Sequence, residues 1–231
     1  MLKEGQLKEQ IRKSILALGA DVCGFADVER FIDTPKGFHP SDHYSDCKSV
    51  VVIGFALPKG LFAVKPDLIY GHFNYLTTPA VDKIALMAAR MIEDVCDGVA
   101  VPLPCDAPYE YWNSEKMEGR GLISMKNAAV HAGIGTLGKN TLLLNAKYGN
   151  RLTVGAILTN LALQSDDYAE SLCIDGCDLC VSSCPAQAIK EEAVIQKLCR
   201  NNTYSSTERG FDTVLCNQCR TVCPMRFGKC K

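Results

Sequence analysis

The sequence predicts an α/β (α+β) domain over residues 1–165, followed by a bacterial ferredoxin-like module over residues 166–231 that holds two [4Fe–4S] clusters. Two observations carry this. Apolar runs with strand and helix periodicity alternate through the first two thirds of the chain. Beyond them, seven of the thirteen cysteines form two C-terminal blocks, with Cys199 upstream of the second as an eighth member. At 231 residues and 47% hydrophobic, the chain can bury a real core beneath this layout.

Leu7, Ile11, Ile15 and Leu18 recur at helical spacing among lysines and glutamates, so an amphipathic helix opens the chain and ends near Gly19. Val22 to Ala26 reads as a short strand. Residues 33–46, marked by Pro35, Gly37, Pro40, Asp42 and Asp46, read as loop. Ser49 to Leu57 is β-branched and almost continuously apolar, the pattern of a buried central strand. Thr78-Pro79 predicts a helix start, with threonine as N-cap and proline at the first position. Val81, Ile84, Ala85, Ala88, Met91, Ile92 and Val95 then share one face until Gly98. A strand from Val99 to Leu103 follows, then an irregular stretch through Pro104, Pro108 and Gly119. Ser124 to Ala132 reads as a helix capped by its serine, and Thr153 to Leu163 holds a further buried strand.

The cysteine blocks carry the chemistry. The first is Cys173-Ile-Asp-Gly-Cys177-Asp-Leu-Cys180-Val-Ser-Ser-Cys184-Pro185, and the second is Cys216-Asn-Gln-Cys219-Arg-Thr-Val-Cys223-Pro224. Both follow the rhythm C-x2-C-x2-C-x3-C-P, in which a short loop wraps one cube and the cysteine before proline reaches the other. Block one has an extra residue between Cys173 and Cys177. Block two has Thr213 where its first cysteine would stand, so Cys199 or Cys230 must supply that thiolate. The expected sets are Cys173, Cys177, Cys180 and Cys223 for one cluster, and Cys184, Cys199, Cys216 and Cys219 for the other. Zinc sites also use C-x2-C, but the Cys-Pro endings set zinc aside. Disulfides do not suit a chain with no secretory signal. Cys23, Cys47, Cys96 and Cys105 read as small apolar residues.

Gly133-Ile134-Gly135-Thr136-Leu137-Gly138-Lys139-Asn140 imitates two nucleotide motifs without the context of either. A helix runs into the first glycine where the dinucleotide fingerprint needs a strand, and Asn140 stands where a P-loop needs Ser or Thr. Two readings remain: a helix C-cap with a glycine turn, or a backbone-rich loop that lets a bulky cofactor approach.

The run from Ala132 to Leu144, continuing to Leu158-Thr159-Asn160, resembles the "AGLGWIGKN" segment of the epoxyqueuosine reductases, which also carry paired cysteine blocks downstream. Reductive dehalogenases are more distant relatives of the same plan. The resemblance implies a cobalamin-reductase-like α/β domain fed by two [4Fe–4S] clusters, with the corrin near Gly133, Gly135, Gly138, Lys139 and Asn140. No histidine sits in the Asp-x-His-x-x-Gly pattern of one cobalamin class, and the resembled family does without it. The chain departs from the family where its proposed proton-donating aspartate aligns with Gly119, beside Glu118, and where Thr136 replaces the loop tryptophan. Glu118 and Tyr75 are therefore the candidate catalytic residues, with Tyr111 a further tyrosine of the same kind.

The expected function is a cytoplasmic, cobalamin-dependent iron–sulfur reductase that acts on a small molecule or a protein. Its electrons would come from a low-potential donor of the ferredoxin or flavodoxin kind. A ferredoxin-like electron carrier without its own substrate is the alternative, and it leaves some 165 residues of α/β fold without a role. Epoxyqueuosine reduction on tRNA is the third reading. Twenty-five basic against 26 acidic residues give a net charge of −1, so no basic field points to a nucleic-acid partner. No apolar run approaches the ~18 residues of a membrane span.

Overall fold

In the computed structural model, which describes residues 4–190 and 193–229, the apolar run from Ser49 forms the middle of a sheet. Its first six residues, Ser49 to Gly54, are all buried. The elements in chain order are α1 (Glu4–Ala17), β1 (Val22–Asp27), α2 (Pro40–His43), β2 (Ser49–Ala56), α3 (Leu68–Cys96), β3 (Ala100–Leu103), β4 (Tyr111–Asn113), β5 (Glu118–Arg120), α4 (Met125–His131), β6 (Thr136–Leu137), β7 (Leu143–Leu144) and β8 (Leu152–Thr159). The cysteine-rich part then adds α5 (Leu179–Ser182), β9 (Ile189–Lys190), β10 (Ala193–Val194), α6 (Gln196–Thr203), β11 (Tyr204–Ser206), β12 (Asp212–Val214) and α7 (Gln218–Thr221).

The main sheet has the order β1-β2-β8-β3, with every neighbouring pair antiparallel. Antiparallel sheets often leave one face to water, and their strands then alternate apolar with polar. This one is covered on both sides. Val51, Ile53 and Ile157 point to α1 and α3 and pack on Ile11, Ile15, Val81, Ala85, Ala88 and Ile92. Val50, Val52, Val154, Ala156 and Leu158 point the other way, onto Ala128 and Ala129 of α4. Each such Val, Leu or Ile side chain contributes ~1.5–3 kcal/mol on full burial. Two-sided burial is why β2 and β8 are almost wholly apolar.

Three expectations need correction. The Thr78-Pro79 pair does not start a helix: α3 begins ten residues earlier, and Pro79 lies inside it. Proline there forfeits one backbone hydrogen bond, and the adjacent turn is tied instead by Thr77 Oγ1, which bonds Asn74 O at 2.7 Å and Thr153 Oγ1 at 2.7 Å. The stretch through Pro104, Pro108 and Gly119 is not irregular throughout, because it contains the β4–β5 hairpin. A four-residue helix, α2, interrupts the loop over 33–46, with His39 as its N-cap.

Candidate functional site

The two cysteine blocks fold as copies of one another. Asp178 precedes α5 with φ −126° and ψ 11°, and Asn217 precedes α7 with φ −131° and ψ 16°. After each Cys-Pro step the chain closes a turn onto the cysteine carbonyl, Gln187 N to Cys184 O and Arg226 N to Cys223 O, both at 3.0 Å. α5 and α7 lie against each other. Cys173, Cys177, Cys180 and Cys223 line one small cavity together with Gly138, Lys139 and Asn140. The Cys223 thiol is pushed up by burial first and then by the charges of Cys180, Cys173 and Cys177. Cys219 is pushed up to about 11, again by burial first, with Arg220 opposing and Cys216, Cys199 and Cys184 adding. Cys223, the Cys-Pro cysteine of the second block, thus shares a cavity with three cysteines of the first, and the Cys184 thiol of the first block is close enough to act on Cys219 of the second. Cys230, the alternative to Cys199, lies outside the described residues. Among the described residues, no three His, Cys, Asp or Glu side chains converge closely enough to hold a single metal ion.

The glycine loop serves this region indirectly. α4 ends in a Schellman turn: Gly133, at φ 68°, bonds Val130 O, and Ile134 N reaches back to Ala129 O at 2.9 Å. A Cβ at Gly133 would stand 2.1 Å from Asp167 O, and one at Gly135 2.2 Å from Leu144 O. At Gly138 it would meet Asn140 Oδ1 and the Leu144 side chain. These glycines are turned to protein, so they do not form the flat open surface expected of a corrinoid cradle. Lys139 and Asn140 act as ties. Lys139 Nζ donates to Cys177 O at 2.8 Å, and Asn140 Nδ2 donates to Cys219 O at 3.0 Å. One loop therefore fixes a cysteine carbonyl in each block.

A cleft of about 790 Å³ opens on the α4 side of the sheet. Its floor is Leu152, Thr153 and Val154 of β8, and its walls include Tyr109, Gly119, Gly121, Lys126, His131 and Gln196. Arg220, next to Cys219, also lines it, so the cleft reaches the second cysteine group. Lys126 Nζ donates to Thr141 Oγ1 at 3.3 Å, and its pKa is lowered by burial and by Arg220. Tyr109 Oη donates to Asp106 Oδ1 at 2.7 Å and accepts from Arg200 at 3.4 Å. Burial holds the phenol pKa up, with the Arg200 bond opposing and Asp106 adding.

The two expected catalytic residues fare differently from this set. Glu118 is paired with Arg120, Oε1 to Nη2 at 2.7 Å, and it is not among the cleft-lining residues. Tyr75 is 72% exposed on α3 and lines a separate groove beside the β11–β12 hairpin. Neither meets the cleft that reaches the cysteines. Gly119 does, and the ring of Tyr109 fills the space at 3.0 Å where a side chain there would begin. Tyr109, Asp106, Lys126, Gln196 and Arg200 escaped the sequence reading because no motif marks them. Of the remaining cysteines, Cys23 and Cys105 are pushed up to about 12 by burial and Cys47 to about 11, as suits inert packing residues.

No protein-family model matches the chain. Over 96% of its length it is 32% identical to the epoxyqueuosine reductase of Listeria monocytogenes, of which it covers 65%. Over 97% it is 27% identical to the Bacillus subtilis epoxyqueuosine reductase, of which it covers 64%. The chain thus spans just under two thirds of these curated relatives. Among solved structures, an epoxyqueuosine reductase with an epoxyqueuosine-modified tRNA stem loop matches with TM-score 0.67 and 20% identity, over 98% of this chain and 67% of that one. A catabolic reductive dehalogenase matches with TM-score 0.68 and 17% identity, over 93% and 32%. At these identities the two structures speak for the fold.

Proposed function

We propose that this chain, a homologue of the epoxyqueuosine reductases, is an iron–sulfur reductase that draws electrons through two [4Fe–4S] clusters and uses a corrinoid in the cleft. The observation that carries the reading is that Cys223, a Cys-Pro cysteine of the second block, lines one small cavity with Cys173, Cys177 and Cys180 of the first, while Cys184, Cys199 and Cys216 all act on Cys219. Exchange of the Cys-Pro ligands is the habit of two-cluster ferredoxin modules. The Cys-Pro endings of both blocks favour cubes over zinc. When bound, such clusters supply single low-potential electrons, and a corrinoid supplies a cobalt centre that can be reduced.

The chain's own residues do the rest. Lys139 and Asn140 hold the carbonyls of Cys177 and Cys219 and so fix both ligand loops. The cleft has the size of a cofactor or ligand pocket, ~300–1,000 Å³, and the ring of Tyr109 fills the place in its wall where a side chain at Gly119 would begin. Tyr109, kept protonated by burial and backed by Asp106, is the phenol placed to hold a proton at the cleft wall. A soluble low-potential carrier of the ferredoxin or flavodoxin kind is the proposed donor, and a small molecule or a protein is the proposed substrate. Among the described residues, no helix is long and apolar enough to cross a membrane. Epoxyqueuosine in tRNA is the relatives' substrate by name. Gly119 offers no side chain to protonate a departing epoxide oxygen, so the smaller substrate is favoured.

Anaerobic purification followed by titration with hydroxocobalamin tests the proposal. About eight irons and eight sulfides per chain are expected for two cubes, together with a saturable change in the corrinoid spectrum. Zinc in place of iron would overturn the cluster reading. Full iron with no corrinoid response would leave an electron carrier in its place.

A further inference from the structure

Helix α6 has no buried side chain, yet it touches three things at once. Cys199 lies near enough to Cys219 to act on its thiol. Gln196, three residues earlier, forms a two-way bond with the backbone of Gly119. Its Oε1 accepts from Gly119 N at 3.1 Å, and its Nε2 donates to Gly119 O at 3.2 Å. Arg200, one turn on from Gln196, bonds its Oε1 at 3.3 Å and lies over both Tyr109 and Trp112, 5.7 and 5.2 Å from the ring centroids. Those two rings are themselves stacked, 5.9 Å apart and 12° from parallel.

The β4–β5 hairpin has little else to hold it. Tyr111 and Trp112 are exposed, and no residue of either strand is buried. The wall of the cleft formed by Tyr109, Gly119 and Arg120 is therefore pinned by α6. That helix, which buries no side chain of its own, is tied at its end by Leu215 N, which donates to Thr203 O at 3.0 Å.

We infer that Gln196 and Arg200 are positioning residues that clamp the β4–β5 hairpin onto the cleft, and that the clamp is set by the cluster bound at Cys199. The inference rests on the cluster reading proposed above. Loading of the second cluster would order α6, and α6 would bring Gly119 and Tyr109 to their places in the wall. An enzyme built this way shapes its substrate cleft only when it can deliver electrons to it.

Hydrogen exchange of the anaerobic, iron-loaded protein, followed by mass spectrometry, reads the clamp without any substrate. Gln196→Ala and Arg200→Ala should keep full iron while amides of residues 111–120 exchange about tenfold faster or more, as local opening costs less. The amides of β2 and β8 should be unchanged. Cys199→Ser, or chelation of iron from the wild type should that variant not fold, should speed the same hairpin amides. Unchanged hairpin exchange in Gln196→Ala and Arg200→Ala at full iron would overturn the clamp. Faster exchange in those variants but none on loss of the second cluster would overturn its coupling to Cys199. A wild type that carries no iron sinks the cluster reading and the coupling together, and the two α6 variants then still decide the clamp.

Discussion

His131 sits in the wall of the cleft with Nδ1 buried, its ring 4.7 Å from that of Phe31. Burial and then Arg30 hold its pKa below the usual histidine value, while Asp33 pulls the other way. The unfolded chain takes up a proton near pH ~6.5, but the folded chain does so only at lower pH. Between the two values the unfolded state binds more protons, so stability present above pH ~6.5 is lost as the pH falls toward the folded pKa. His131→Phe keeps a ring against Phe31 and removes the titration. The expected outcome is a flatter decline of the melting temperature between pH 7.5 and 5 than in the wild type, measured by scanning calorimetry. Parallel declines would show that His131 stays solvated. Residues of this kind were hidden in the sequence. The cysteine blocks were legible because their spacing is local. Gln196 meets Gly119 across 77 residues and Arg200 meets Tyr109 across 91, separations that only the folded chain brings to contact.

At the scale of elements, β1, β2, β3, β8, α1 and α4 were readable because two-sided burial writes itself as continuous apolar runs and as one-faced helices. The first ten residues of α3 were not. Leu68, Phe73, Tyr75 and Leu76 are exposed there, so no apolar stripe announces a helix, and Thr78-Pro79 gives a false start. What holds those turns is contact with the cysteine-rich part. Tyr70 is buried against Leu57 and Leu61 and lies in the field of Arg220, Cys219 and Cys216. Gly71 lets β12 come so near that a Cβ would stand 2.1 Å from Val214 O. Gly71→Ala makes the balance testable. Alanine gains up to ~1 kcal/mol of helix propensity, but a clash with a backbone oxygen costs ~1–3 kcal/mol, and the clash should win. Lower urea midpoint and reduced iron content are expected together. A higher midpoint at full iron would mean that the β11–β12 hairpin yields.

Across the whole molecule, the α/β part and the cysteine-rich part differ in what stabilises them. Residues before Asp166 hold nearly all the buried apolar side chains. Among the described residues after Asp166, only Leu172, Ala188 and Ile189 are buried apolar side chains. So small a core does not support an independent fold of that length, and on the cluster reading proposed above the part would draw its folding energy from bound metal. What remains besides metal is the seam with the α/β part. Asp166 bridges Lys8 at 2.7 Å and Arg12 at 2.8 Å, Asn150 Nδ2 donates to Arg220 O at 3.0 Å, and Lys229 N reaches Ala146 O at 2.8 Å. These bonds tether the module at several points without filling it. Anaerobic removal of iron should therefore unfold the chain in two stages. Amides of α5, α6 and α7 should exchange close to the rate of an unfolded peptide, while those of β2 and β8 stay protected, because their core owes nothing to the thiols. Reconstitution with iron and sulfide should restore both. A single cooperative loss of protection across sheet and module would mean that the seam, and not the metal, carries the module's stability.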